Sequence, residues 1–194
     1  MKTQSKNSIF DNGFIPKFSF FKCPITNIVP CSTITILDAY NLIKGDKYIT
    51  QTEKLRSIRD KETARRYKAQ SFDYACFSGI FSKRNDNSLI KHSGLLTIDF
   101  DNVSDLNPLK ESLLNDKYFE TELMFKSPSG KGLKWIFPVN FSFGGTHQQW
   151  FSVIGTYIKI TYGYEIDNSG KDISRACFLP FDPEVYINPI YTLL

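Results

Sequence analysis

Asp99 and Asp101, two carboxylates separated by a single phenylalanine in the run GLLTIDFDNV (94–103), are the residues of this chain best placed to do chemistry. Successive side chains of an extended strand point to opposite faces. Asp99 and Asp101 therefore share a face with Thr97, while Leu96, Ile98 and Phe100 take the other. Two like charges this close raise each other's pKa and repel, unless a cation sits between them or water solvates both. A third acid, Asp167 in YGYEIDNSGKDISR, is delivered where it can reach the same place. Hard carboxylate oxygens without His or Cys beside them favour Mg²⁺ or Mn²⁺ over zinc.

Between these acids lies SPSGKGLK (127–134). Its Gly130 and Gly132 free the backbone to present N–H groups as an anion nest beside Ser127, Ser129, Lys131 and Lys134. The spacing is not that of a P-loop. Alternation sends Leu133, Trp135 and Phe137 to the core and leaves Lys134 facing the acids across a neighbouring strand. A plain cross-strand ion pair on an open sheet face would be worth about 0.2–1 kcal/mol and do nothing else. Arg175 adds a fork donor suited to phosphate. Three acids beside an anion nest describe a two-metal phosphoryl or nucleotidyl transfer site, in which Asp99, Asp101 and Asp167 hold the ions.

Positioning these groups falls to a second half that reads β-α-β-β-α-β. A strand over 95–101 leads to a helix signalled by Asn107 before Pro108. The strands ETELMFKS and GLKWIFPV follow, joined by the turn PSGK. A helix opened by a capping box at Thr146 and Gln149 then carries Trp150, Val153, Ile154, Tyr157 and Ile158 and stops at Gly163. The strand ACFLPF closes the order. This is an α+β, ferredoxin-like pattern also used by RNA-recognition modules, with the first and third strands adjacent at the sheet's centre. Upstream, KFSFFKCPI and DYACFSGIFS read as strands and STITILDAYNLIKG as a helix from its Ser/Thr start to Gly45. One broken or two short helices span TQTEKLRSIRDKETARRYKAQ. Residues 1–90 thus form an N-terminal α/β module, and 91–194 the candidate catalytic module packed against it.

A chain of 194 residues with this much apolar content can bury a real core. It has no apolar run near the roughly 20 residues that a membrane helix needs. MKTQSKNSIFDNG has no signal-like apolar stretch, so a cytoplasmic location without membrane contact is expected. Cys23, Cys31, Cys76 and Cys177 form no CxxC pair and read as reduced, mostly buried thiols. The net charge is +4, yet residues 54–68 alone hold seven basic residues against two acids. Arg56, Arg59, Arg65, Arg66 and Lys68 in that run suit either a solvated helix face or contacts to nucleic-acid phosphates.

LLTIDFDN, SPSGKGLKWIF and EIDNSGKDISRACFLPFDP, in this order, resemble the three motifs of the archaeo-eukaryotic primase superfamily. The nearest likeness is to the primase-polymerase domains that precede helicase or ATPase domains in replication proteins of bacterial mobile elements and phages. The likeness covers roughly residues 35–185. It implies that Asp99 and Asp101 fill the metal-binding first motif, Ser129 and Lys134 the nucleotide-phosphate second, and Asp167 the third. It further implies nucleotide addition on a single-stranded DNA template from nucleoside triphosphates with Mg²⁺ or Mn²⁺, and a helicase or ATPase domain elsewhere in a longer protein. The second motif of many members ends in His where this chain has Lys134, which can bind triphosphate as a point charge but offers no imidazole acceptor. Two rivals stand beside this reading. One is a non-catalytic nucleic-acid-binding replication module on the same fold. The other is a haloacid-dehalogenase-like phosphatase, whose D-x-D-x-[TV] opening LLTIDFDNV also fits, with Lys131 or Lys134, Asp167 and Asp172 in the later roles. The phosphatase needs a parallel, doubly wound sheet.

Overall fold

The computed structural model describes residues 15–193, so the reading of the first thirteen residues lies outside them. Short antiparallel strands and five α-helices make up the described residues. The first half runs β1 (Lys17–Phe21), β2 (Ser32–Thr35), α1 (Ile36–Lys44), α2 (Ile49–Ser57), α3 (Lys61–Ser71), β3 (Tyr74–Cys76), β4 (Gly79–Phe81) and β5 (Leu89–His92). The second runs β6 (Leu95–Phe100), α4 (Leu106–Leu114), β7 (Leu123–Lys126), β8 (Leu133–Pro138), α5 (His147–Tyr162), β9 (Cys177–Phe178) and β10 (Tyr186–Ile187). No helix among the described residues is long and apolar enough to cross a membrane.

Local chemistry accounts for most boundaries and for the places where they depart from expectation. The β-branched run Thr33-Ile34-Thr35 pairs as a strand with β1 instead of starting the helix. Thr35 then caps α1 in a reciprocal box with Asp38. Asp105, rather than Asn107, caps α4. In α5 the Thr146–Gln149 box and the left-handed Gly163 stand where expected. The buried stripe of α5 is Phe151, Ile154 and Ile158, however, and Val153 is 62% exposed. Phe151 sets that rotation by packing against Gly170, where a Cβ would come within 2.7 Å of its ring.

Every strand pairing among the described residues is antiparallel. One sheet has the order β2-β1-β3-β9, the other β10-β7-β8-β6, and β4–β5 form a hairpin. β6 and β8 are neighbours as expected, although β8 rather than β6 is central. The closing strand differs more. Cys177 and Phe178 pair with Ala75 and Tyr74 in the first sheet, and β10 takes the place beside β7. Pro180 and Pro183 lack the N–H groups that a longer ladder would need, so the strand ends at Phe178 and the chain turns back. The expected single strand 73–82 is likewise split at Phe77-Ser78 into β3 and β4.

The second sheet is covered on both faces. Leu96, Ile98, Phe100, Trp135 and Phe137 pack under α4 and α5. Leu95, Leu123, Phe125 and Ile136 on the other face share a core with Phe18 and Phe20 of β1 and Ile36, Ala39 and Ile43 of α1. The acid-bearing face is therefore no open sheet. The N-terminal half roofs its apolar end, and only its polar end remains accessible.

Glu122, just before β7, is fully buried, and burial pushes its carboxyl up to about 7 from the ordinary 4.5, against a hydrogen bond from Tyr191 and with the charge of Glu120 adding to it. A raised acid holds its proton more tightly in the folded state. Its contribution is complete below pH 4.5 and is lost as pH rises through about 7. Stability should fall by roughly 3 kcal/mol across that window, and Glu122→Gln should flatten the dependence. Urea titrations at a series of pH values check this; an equally steep profile in the Gln variant would remove Glu122 as its source.

Candidate functional site

Asp99 stands directly opposite Lys134 in the β6–β8 register, so the strand parity read from the sequence places the two side chains together. Lys134 Nζ contacts Asp99 Oδ2, and both side chains are almost wholly shielded. Burial pulls the lysine pKa down to about 8, with the charges of Lys68 and Arg175 acting the same way and those of Cys177 and Asp167 opposing it. The other Asp99 oxygen, Oδ1, is buried with no hydrogen-bond partner. A carboxylate oxygen left in that state costs free energy until a proton donor or a cation reaches it.

Asp101 follows at the end of the strand and is exposed. Asp167 arrives from the other end of the chain and is pinned by the backbone: its N–H donates to the Asp99 carbonyl at 2.9 Å. It caps a short 3₁₀ turn by accepting from Ser169 N at 2.9 Å, and Arg175 Nη2 approaches Asp167 Oδ2 at 3.2 Å. Burial opposes ionisation of Asp167. Hydrogen bonds from Ser169 and the charges of Arg175 and Lys134 outweigh it and hold the pKa below the usual carboxylate value. One carboxylate oxygen from each of Asp99, Asp101 and Asp167 lies within 4.8 Å of the other two. An all-oxygen set at this spacing, one member lacking a partner, fits a hard divalent cation.

The SPSGKG turn closes one side. Gly132 lies so near the end of β6 that a Cβ there would fall 2.3 Å from the Phe100 carbonyl. Gly130 adopts φ +75°, open to glycine at little cost. The nest expected of this turn is partly spent internally: Gly130 N–H donates to the Ser127 carbonyl and Lys131 N–H approaches Ser129 Oγ. The two serine hydroxyls hydrogen-bond to each other at 3.1 Å, which leaves one of their two protons free for a ligand.

The acids, Ser127, Ser129, Lys134 and Arg175 line a cleft of about 290 Å³. Gly130 and Lys131 face a separate groove with Arg56, whose Nε donates to the Pro128 carbonyl at 3.3 Å. The basic run divides accordingly. Arg59, Arg65 and Arg66 are exposed, with Arg66 paired to Glu62; Arg56 braces the turn, and Lys68 enters the cleft. Lys68 in the cleft, together with Arg84, was not legible: helical periodicity reports a face, not which neighbour lies across it. The two histidines are also in contact, His92 Nε2 to His147 Nδ1 at 3.3 Å, from residues 55 positions apart. All four cysteines are free thiols; Cys76 and Cys177 are buried, whereas Cys31 is exposed and Cys23 half-buried.

A family model described as BT4734-like, N-terminal domain matches residues 66–187, a span from α3 to β10 that includes all three acids. No curated protein and no solved structure matches the chain.

Proposed function

The chain belongs to the BT4734-like N-terminal domain family, and from the carboxylate cluster that it holds we propose that it is a primase-polymerase-like nucleotidyltransferase acting on a DNA template. The observation that carries this reading is the convergence of Asp99, Asp101 and Asp167, with Asp99 Oδ1 left without a partner, beside the serine-bearing turn. Asp99, Asp101 and Asp167 would hold Mg²⁺ or Mn²⁺, which supply Lewis acidity toward the attacking hydroxyl and charge neutralisation at the leaving pyrophosphate. Ser127 and Ser129, paired with each other here, would donate to phosphate oxygens once that mutual hydrogen bond opens, and Lys134 supplies a buried positive charge. Arg175 keeps Asp167 ionised and offers its remaining donors to the same ligand.

The order β6-α4-β7-β8-α5 supports the RNA-recognition-like reading of the second half, although the expected closing strand β9 joins the other sheet and β10 lies beside β7. Exclusively antiparallel pairing weighs against the phosphatase, which requires parallel strands joined by crossovers. A non-catalytic nucleic-acid-binding module is favoured by one feature, the Asp99–Lys134 pair, which neutralises an acid without any metal.

The test is incubation of the chain with a primed or unprimed single-stranded template, Mn²⁺ and either nucleoside or deoxynucleoside triphosphates. Template-dependent extension is expected. Mn²⁺ binding without any transfer under these conditions would leave the non-catalytic module as the function.

A further inference from the structure

Arg84, just beyond β4, carries a guanidinium whose charge is not met by the protein. Nη2 donates to the Ile25 carbonyl at 3.2 Å, and the group lies 5.5 Å from the Tyr74 ring centroid. Its Nε is buried with no partner, and no carboxylate among the described residues forms an ion pair with it. A guanidinium stays protonated under all ordinary conditions, so burial cannot be relieved by losing the proton. Lys68 of α3 is in a similar position. Its Nζ stands 5.5 Å over the Phe178 ring, it has no ion-pair partner among the described residues, and Asp101 and Asp167 act on it only through space. Both side chains line the cleft that holds the acids, and both come from the N-terminal half.

Charge balance sharpens the point. The cleft lining holds four cationic side chains, Lys68, Arg84, Lys134 and Arg175, and four carboxylates, Asp99, Asp101, Asp167 and Asp172. Without metal these cancel. Each divalent ion bound by the acids adds two positive charges that the protein leaves unmatched, so the occupant must bring several negative charges in a small volume. At about 290 Å³ the cleft suits a small ligand better than a polymer backbone.

We infer that Lys68 and Arg84 form a phosphate subsite for the polyphosphate chain of a nucleotide, supplied by the N-terminal half and distinct from any contact to template phosphates. The inference rests on the nucleotidyltransferase reading for the identity of the nucleotide, but not for the presence of the anion site. Lys68 therefore belongs with the incoming ligand and not with the exposed Arg59, Arg65 and Arg66. A fork donor such as Arg84 can hold two oxygens of one phosphate, and Lys68 then meets its neighbour as a point charge.

Calorimetric titration of the whole chain with inorganic tripolyphosphate, with and without Mn²⁺, tests this. Lys68→Gln and Arg84→Gln should each weaken tripolyphosphate binding about tenfold or more. Arg65→Gln, on the same helix outside the cleft, should leave it within twofold, and single-stranded DNA binding should be unaffected by the two cleft variants. Wild-type tripolyphosphate affinity in Lys68→Gln, or loss of DNA binding with tripolyphosphate binding intact, would overturn the subsite. So would a wild-type chain that binds no tripolyphosphate at all. Thermal melts accompany each variant; if Arg84→Gln does not fold because Tyr74 loses its cation, Lys68→Gln decides alone. A Mn²⁺ titration without tripolyphosphate reports on the acids separately, so failure of the metal site and failure of the subsite give different results.

Discussion

Asp101→Asn is expected to lose Mn²⁺ binding and template-dependent transfer while the chain folds as well as before. Asp101 is exposed, so the amide meets no packing constraint, and one of its oxygens lies within 4.8 Å of oxygens of Asp99 and Asp167. Without a cation, removing its charge relieves repulsion among three carboxylates, and thermal stability should stay level or rise. With a cation the sign reverses. A ligand that binds only the folded state stabilises it by RT ln(1 + [L]/Kd), about 2.7 kcal/mol at a hundredfold excess over Kd, and the variant should forfeit most of that gain. Changes around a metal site short of its direct ligands already cost about 10- to 100-fold, so loss of a ligand should lower turnover by a hundredfold or more. Melting curves across a Mn²⁺ series, paired with the extension assay, check both. An Asn variant that keeps its Mn²⁺-induced shift and its turnover would take Asp101 out of the site.

The acids could be read from the sequence because strand alternation is a local rule: once 95–100 is a strand, Asp99 and Leu96 must part to opposite faces, and the register then sets Asp99 against Lys134. The capping box at Thr146 and the stop at Gly163 were legible for the same reason, since each depends on residues within one turn. What escaped is non-local. β9 joins the first sheet through pairing with Tyr74 and Ala75, about a hundred residues earlier, and nothing in ACFLPF specifies its partner. The roof over the apolar end of the second sheet depends on Phe18, Phe20 and α1 meeting Leu95 and Ile136, so the acid face reads as open until that packing is known. The same packing carries Lys68 and Arg84 into the cleft. Periodicity assigns a side chain to a face; only the docking of the two halves says what that face meets.

Lys134 is the residue at which the chain departs from the usual second motif, and its expected behaviour follows from its contact with Asp99. Both side chains are nearly excluded from solvent, so Lys134→Met leaves Asp99 as a buried carboxylate with neither counter-charge nor, at Oδ1, a hydrogen bond. Breaking a buried pair in this way costs about 3–5 kcal/mol, because the surviving charge keeps its desolvation penalty without its partner. Two measurements identify the cause. Lys134→Met combined with Asp99→Asn should recover most of the lost stability, since the uncompensated charge is then gone. Mn²⁺ should stabilise Lys134→Met more than the wild type, because the cation supplies to Asp99 the charge that the ammonium supplied before. Nucleoside triphosphate binding to Lys134→Met should nevertheless remain weaker than wild type, by about tenfold, because the metal does not replace a donor to the phosphates. Chemical denaturation of the two single variants and the double variant, with and without Mn²⁺, is the measurement. If Lys134→Met is as stable as wild type, or if Mn²⁺ shifts both equally, the ammonium does not stand in for a metal at Asp99, and the lysine must be assigned to the ligand alone.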